Sequence, residues 1–252
     1  MMVEHIRIMA GNDKTGQPEA VPGLDLKPGQ SLALVGPTGS GKSELLSDIE
    51  QLANADTRSR RRVLINGKVQ EEPVNGLVAT LSQKTNFVMD ASVREFILMH
   101  AESRGRDGNA LCDPLLHTAN TLCGEPIRGD MPLQVLSGGQ SRALMIADIA
   151  LLSDAPVVLI DEIENAGIDK FKAMQTLAGR QKIVISATHD PVLMLMNDAR
   201  LVMRNGGMHL RIPSSPDEQE CADLLRRMDQ SLLNARDILR AGRTLEHTEQ
   251  LQ

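Results

Sequence analysis

The chain has no tyrosine, no tryptophan and only three phenylalanines, Phe87, Phe96 and Phe171. All three lie beyond residue 36, so nothing between Ile8 and Val21 can stack a nucleotide base on an aromatic ring. Long apolar runs are also missing. No stretch of about 18 apolar residues occurs, so no segment reads as a membrane span. The start, Met1-Met2-Val3-Glu4-His5, carries an early acid and no apolar run, and a secretion signal is not expected. Cysteine is scarce: Cys112, Cys123 and Cys221 form no C-x-x-C pair, so reduced thiols in a cytosolic protein are expected. Cys112, His117 and Cys123 share one segment where a soft-metal site can be imagined, but their spacing matches no standard zinc pattern. Buried small side chains in a helical region are the plainer expectation. Positive charge is in deficit as well, and a net charge of −6 argues against nucleic acid as a partner. Internal repeats and low-complexity segments are absent.

What is present is a phosphate-binding pattern. Its 252 residues suffice for one sizeable core with a subdomain. Within it, Gly36-Pro37-Thr38-Gly39-Ser40-Gly41-Lys42-Ser43 fits G-x4-G-K-[ST]. It follows an apolar strand candidate, residues 31–35, and leads into residues 44–50, which have helical spacing. The glycines permit backbone conformations that turn successive N–H groups inward as an anion nest. The helix N-terminus adds partial positive charge. Lys42 can reach the β- and γ-phosphates and Ser43 can ligate Mg²⁺. The chain is therefore expected to bind a nucleoside triphosphate.

Further motifs follow in order. Leu136-Ser137-Gly138-Gly139-Gln140 opens a helix predicted over 141–152, again an anion-friendly N-terminus. Val157-Val158-Leu159-Ile160 reads as a strand buried on both faces. Asp161 and Glu162 emerge at its end, where open α/β sheets place their ligands. Residues 182–186 form another strand, followed by His189-Asp190, and Gln83 closes the stretch 77–82.

From Ile6 to Met208 the sequence resembles the ATP-binding-cassette (ABC) ATPases, with five motifs in the family's order. The resemblance implies an α/β fold: a P-loop NTPase, RecA-like core with an antiparallel β subdomain and an inserted helical signature subdomain. It makes residues 36–43 the Walker A loop, Gln83 the Q-loop glutamine and residues 136–140 the signature motif. Residues 157–162 become Walker B, residues 166–169 the D-loop ending in Asp169, and His189 the switch histidine. It also implies that MgATP is enclosed between two cassettes arranged head to tail, in a homodimer or a heterodimer.

The residue types suit hydrolysis. Lys42 and the loop amides compensate charge, while Ser43 and Asp161, with Gln83 as sensor, are placed to hold Mg²⁺. Glu162 is the candidate general base, and His189 would hydrogen-bond the γ-phosphate. Ser137 and Gly139 would contact it across the dimer.

The motif spacing predicts a nucleotide core over 1–85 and 140–212, a helical lobe over 86–139 and a tail over 213–252. Asn66-Gly67 signals a hairpin, and Ser92 with Glu95 a capping box. In the family the lobe and the Q-loop receive a partner's coupling helix. In the tail, Cys221, Leu224, Leu225, Met228, Leu232, Ala235 and Leu239 recur at helical spacing, for packing on the chain's own core or on a partner. Arg58 to Arg62 includes four arginines and reads as a solvated turn before a strand, with a nucleic-acid or acidic-partner contact as the alternative.

Three departures from the family pattern stand out. No aromatic residue precedes Walker A, so the base is expected against Ile8, Met9 or Val21. The stretch from Asp161 to Asp169 is one residue longer than usual. The link from Asp169 to His189 is short, with room for one brief helix over about 170–177. Two classes stay open: the cytoplasmic ATPase subunit of a transporter, peripheral at the inner membrane face on a separate membrane-spanning partner, or a soluble ABC protein that remodels a partner protein or acts in cofactor assembly.

Overall fold

The computed structural model describes residues 2–70, 76–82, 87–163 and 167–245. The chain begins with β1 (Ile6–Met9), β2 (Gly23–Leu26), β3 (Ser31–Val35), α1 (Lys42–Glu50), β4 (Arg62–Ile65), β5 (Lys68–Val69) and β6 (Val78–Leu81). A helical stretch follows, with α2 (Val93–Glu102), α3 (Gly108–Leu122), a 3-10 turn at Leu133–Val135 and α4 (Gly138–Leu151). The chain then returns to the sheet through β7 (Val157–Asp161), α5 (Lys170–Ala178), β8 (Ile183–Ala187), α6 (Pro191–Met196), β9 (Ala199–Arg204) and β10 (Gly207–Pro213), and ends in α7 (Pro216–Arg240).

The strands sort into two sheets. An antiparallel sheet has the order β2-β1-β4-β5. Its β4–β5 turn has positive φ at both Asn66 and Gly67, the hairpin geometry that an Asn-Gly pair favours. The larger sheet has the order β10-β9-β3-β8-β7-β6, parallel except for β10. Its central strands are buried on both faces, so alternate residues serve different cores. Val158, Ile160 and Val184 pack against α2 to α5. Val157, Leu159, Ile183 and Ile185 face α1 and the antiparallel sheet. That explains why these strands read as unbroken apolar runs. The Ser92–Glu95 capping box is present at the start of α2.

Two expectations hold only in part. The run 58–62 is not simply a solvated turn, because Arg61 is fully buried. Its guanidinium meets Glu19 at 2.7 Å and Asp48 at 2.7 Å, both carboxylates also being buried. Burial disfavours that charge, and the two carboxylates more than offset it, so its pKa is raised. The tail helix α7 turns only part of its apolar stripe to the core. Ala222 and Ala235 are buried and half-buried Leu225 packs against the core, but Leu224, Met228, Leu232 and Leu239 are exposed. Polar anchors add to these: Glu218 takes both Arg200 guanidinium nitrogens at 2.6 and 2.8 Å, and Asp229 pairs with Lys170 at 2.9 Å.

Candidate functional site

The strand order builds the site. β3, β8 and β7 are neighbours and parallel, so their C-terminal ends lie side by side. After β3 comes the loop 36–43; after β8 come Thr188 and His189; β7 ends in Asp161, followed by Glu162. β6, beside β7, leads to Gln83, which lies outside the described residues. The crevice beyond strand C-termini is where open α/β sheets bind ligands.

The loop 36–43 has the conformation that its glycines permit. Gly36, Gly39 and Gly41 all have positive φ. At Gly36 a Cβ would sit 2.5 Å from Met203 O, and at Gly41 one would sit 2.7 Å from Gly206 Cα, so only glycine fits this close packing. Pro37, Thr38 and Gly39 form the exposed crest, and Ser40 is buried. The loop delivers its amides to the start of α1, where Gly41 stands at the cap with no side-chain hydrogen bond. By contrast Ser92, Asp107, Ser137, Asp169 and Asp190 each cap the helix that they precede, α2 to α6. An uncapped N-terminus leaves its first N–H groups available to an anion.

Three side chains converge over this loop. Lys42 Nζ donates to Gly36 O at 2.8 Å and stands 3.2 Å from His189 Nε2. His189 Nε2 is in turn 3.8 Å from Glu162 Oε1. Glu162 has φ +53, a left-handed conformation that is uncommon for a side-chain-bearing residue and concentrates at functional sites. The conformation is held from both sides: Glu162 N donates to Ala187 O at 3.0 Å, and Arg142 of α4 donates to Glu162 O at 3.3 Å.

The residues expected to hold Mg²⁺ are hard oxygen donors. Ser43 is exposed on the first turn of α1, and Asp161 is half-buried at the end of β7. Together with the glycine-shaped loop and an uncapped helix N-terminus, this donor set fits a magnesium–nucleotide complex. A soft-metal site around Cys112 has no such support. Among the described residues no group of three metal-ligating side chains occurs. Burial pushes the Cys112 thiol up, away from thiolate.

Residues 136–140 sit on a different element. Ser137 caps α4: its Oγ accepts from Gln140 N at 3.3 Å, and Gln140 Oε1 accepts from Ser137 N at 2.9 Å. Gln140 also donates to Pro126 O at 3.2 Å, so its side chain is turned inward. Ser137 and Gly138 are exposed and Gly139 is half-buried. Asp169 caps α5 through Phe171 N and Lys172 N, and its own N–H donates to Leu122 O at 2.7 Å. The longer stretch between Asp161 and Asp169 includes residues 164–166, outside the described residues. The brief helix expected after it is α5.

Two features at the loop had no sequence signal. Gly206 donates to Ser40 O at 2.9 Å while its carbonyl accepts from the buried Arg61 at 2.6 Å. One glycine thus joins the buried ion cluster to the loop 36–43. Lys14 packs over the same glycine and its Nζ donates to Gly39 O at 2.6 Å. A lone lysine in a polar turn carries no pattern that would reveal this. Of the apolar positions offered to a base, Ile8 is fully buried and drops out; Met9 and Val21 keep exposed surface.

The sequence and fold have known counterparts. A family model described as ABC transporter matches residues 22–165. An uncharacterized ABC transporter ATP-binding protein of Methanocaldococcus jannaschii is 51% identical over 254 residues, covering 99% of this chain and 97% of its own. ABC transporter G family member 11 of Arabidopsis thaliana is 27% identical over 77% of this chain, which spans only 29% of that longer protein. Among solved structures, cbiO1 from Clostridium perfringens, part of the ABC transporter complex cbiONQ, aligns with a TM-score of 0.62 at 22% identity, covering 94% of this chain and 98% of that one. An ATP-binding subunit of an ABC transporter aligns with a TM-score of 0.61 at 18% identity, covering 84% and 90%. Among the described residues no helix is long and apolar enough to cross a membrane.

Proposed function

This chain belongs to the ABC transporter ATP-binding family, and from that footing we propose that it hydrolyses MgATP between two head-to-tail cassettes to drive a separate membrane-spanning subunit. The observation that carries this reading is the convergence of Lys42, His189 and Glu162 over an uncapped, glycine-shaped loop. In the reaction Lys42 and the loop amides hold the β- and γ-phosphates. Glu162 accepts a proton as the water oxygen bonds to the γ-phosphorus, and the bond from that phosphorus to the β–γ bridging oxygen breaks. ADP leaves with that oxygen and its electron pair. His189 hydrogen-bonds the γ-phosphate oxygens. Ser43 and Asp161, with Gln83, would hold Mg²⁺, which when bound neutralises phosphate charge.

Ser137 caps α4 as an acceptor, which leaves its hydroxyl proton to be donated to the γ-phosphate of a partner cassette. Gly139 and the first amides of α4 would join it, and Asp169 would lie near that interface. We assign residues 86–139 as the lobe that, with Gln83, receives the membrane subunit. The cassette then works at the cytoplasmic face of the membrane. Copurification tests this assignment: a membrane-spanning partner is expected, and a soluble enzyme recovered in its place would contradict it.

Base selectivity follows from the absent aromatic ring. Stacking contributes about 1–3 kcal/mol per base where a ring is available. Here phosphate contacts, with Lys14 as a second ammonium at the loop, dominate affinity. ATP and GTP should bind within roughly tenfold of each other, or about 1.4 kcal/mol. Calorimetry checks this, and a hundredfold preference would reveal a base pocket that Met9 and Val21 do not provide.

A further inference from the structure

The tail helix α7 reaches the catalytic loop through one ammonium group. Lys170 Nζ meets Asp190 Oδ2 at 2.5 Å and Asp229 Oδ2 of α7 at 2.9 Å, and all three side chains are largely buried. Burial works against the Lys170 charge, and the two carboxylates more than offset it, leaving its pKa above that of an ordinary lysine. Its partners lie at functional positions. Asp190 directly follows His189, and its other oxygen accepts from Val192 N and Leu193 N at 2.8 and 3.1 Å. Its own N–H donates to Thr188 Oγ1 at 3.0 Å, so the residues on both sides of His189 are tied together. Lys170 itself follows Asp169. Arg226, one turn before Asp229, lies 5.4 Å from the centre of the Phe171 ring, next to Lys170.

From this arrangement we propose that α7 is a latch on the catalytic loop: Asp229 holds Lys170, Lys170 holds Asp190, and Asp190 sets the position of His189. Lys170 and Asp229 are positioning residues, since neither touches nucleotide. The inference rests on the proposed role of His189 at the γ-phosphate. A tail that served only as a cover would be expected to turn all its apolar residues inward. Ala222, Leu225 and Ala235 do so, but Leu224, Met228 and Leu232 face solvent, and Asp229 adds a largely buried ionic contact. Because α7 follows a Pro213-to-Pro216 link, anything that displaces it pulls on Lys170, which joins the start of α5 to the residues around His189. The device thereby couples the tail to turnover more than to nucleotide binding: Lys42 stands 3.2 Å from His189 Nε2, but its donation to Gly36 O and the loop's own hydrogen bonds do not run through the latch.

Asp229→Lys in the full chain places a second ammonium beside Lys170. ATP turnover should fall about tenfold, as a small misplacement of a positioned group costs up to about a hundredfold, while KM for ATP stays within about twofold. Hydrogen exchange of residues 188–193 should accelerate along with that of α7. Asp229→Glu should restore both readouts. Asp229→Asn, which removes charge without adding any, should show the same pattern at lower amplitude if the lysine variant folds poorly. Faster exchange in α7 alone, with residues 188–193 and turnover unchanged, would overturn the latch. If even the unaltered chain hydrolyses no ATP, the proposed function fails, and exchange at 188–193 still decides whether the latch exists.

Discussion

Replacing Glu162 with glutamine is expected to lower ATP turnover by about a hundredfold or more while leaving MgATP binding close to that of the unaltered chain. The reasoning is local. Glutamine keeps the size and the hydrogen-bonding reach of the side chain but cannot take a proton from water. Binding should survive because the phosphate contacts come from Lys42 and the loop 36–43. The backbone at 162 should survive too, since its own N–H and C=O, at a φ of +53, are held by Ala187 O and Arg142. Such a chain should also accumulate as an ATP-bound dimer if, as proposed, hydrolysis releases the pair. Equal turnover in Glu162→Gln and the unaltered protein would remove Glu162 from the chemistry.

The largest effect on stability is expected at Arg61. Arg61→Met should cost about 3–5 kcal/mol, the usual penalty when one member of a buried ion cluster is removed and the others keep their charge. Glu19 and Asp48 would remain buried. Glu19 retains Gly11 N and Met208 N, and Asp48 retains Ser59, so both carboxylates stay in place without a cation. Denaturant unfolding at neutral pH measures the loss. A loss under about 1 kcal/mol at neutral pH would mean that the cluster is not the anchor described. Neutralising both acids together, Glu19→Gln with Asp48→Asn, should return part of the lost stability. Because Arg61 also holds Gly206, whose N–H donates to Ser40 O, weaker ATP binding should accompany the instability.

How much of this was legible in the sequence depended on how local each signal was. β3, β7 and β8 announce themselves as unbroken apolar runs because both faces of each are buried. The Asn66-Gly67 turn, the Ser92–Glu95 box and the short helix α5 are decided by neighbours within a few residues. Arg61 was misread because its partners lie 42 and 13 residues away, and a run of arginines looks solvated until those acids are placed beside it. The tail was legible only in part: helical spacing of apolar residues shows that a face exists but not how much of it is covered. Ile8 was offered to the base because composition says nothing about which side of β1 faces the core. The meeting of Lys42, His189 and Glu162 depends on β8 lying between β3 and β7, a neighbour relation that no single strand encodes.

The central claim is that each ATP is enclosed by Lys42 of one chain and Ser137 of another. Mixing a Lys42→Ala chain with a Ser137→Arg chain tests it directly. In the mixed dimer one composite site carries both lesions and the other carries neither. ATP hydrolysis should be absent from each variant alone and should return in the mixture. A mixture shown to contain mixed dimers, yet with no recovered hydrolysis, would contradict the account.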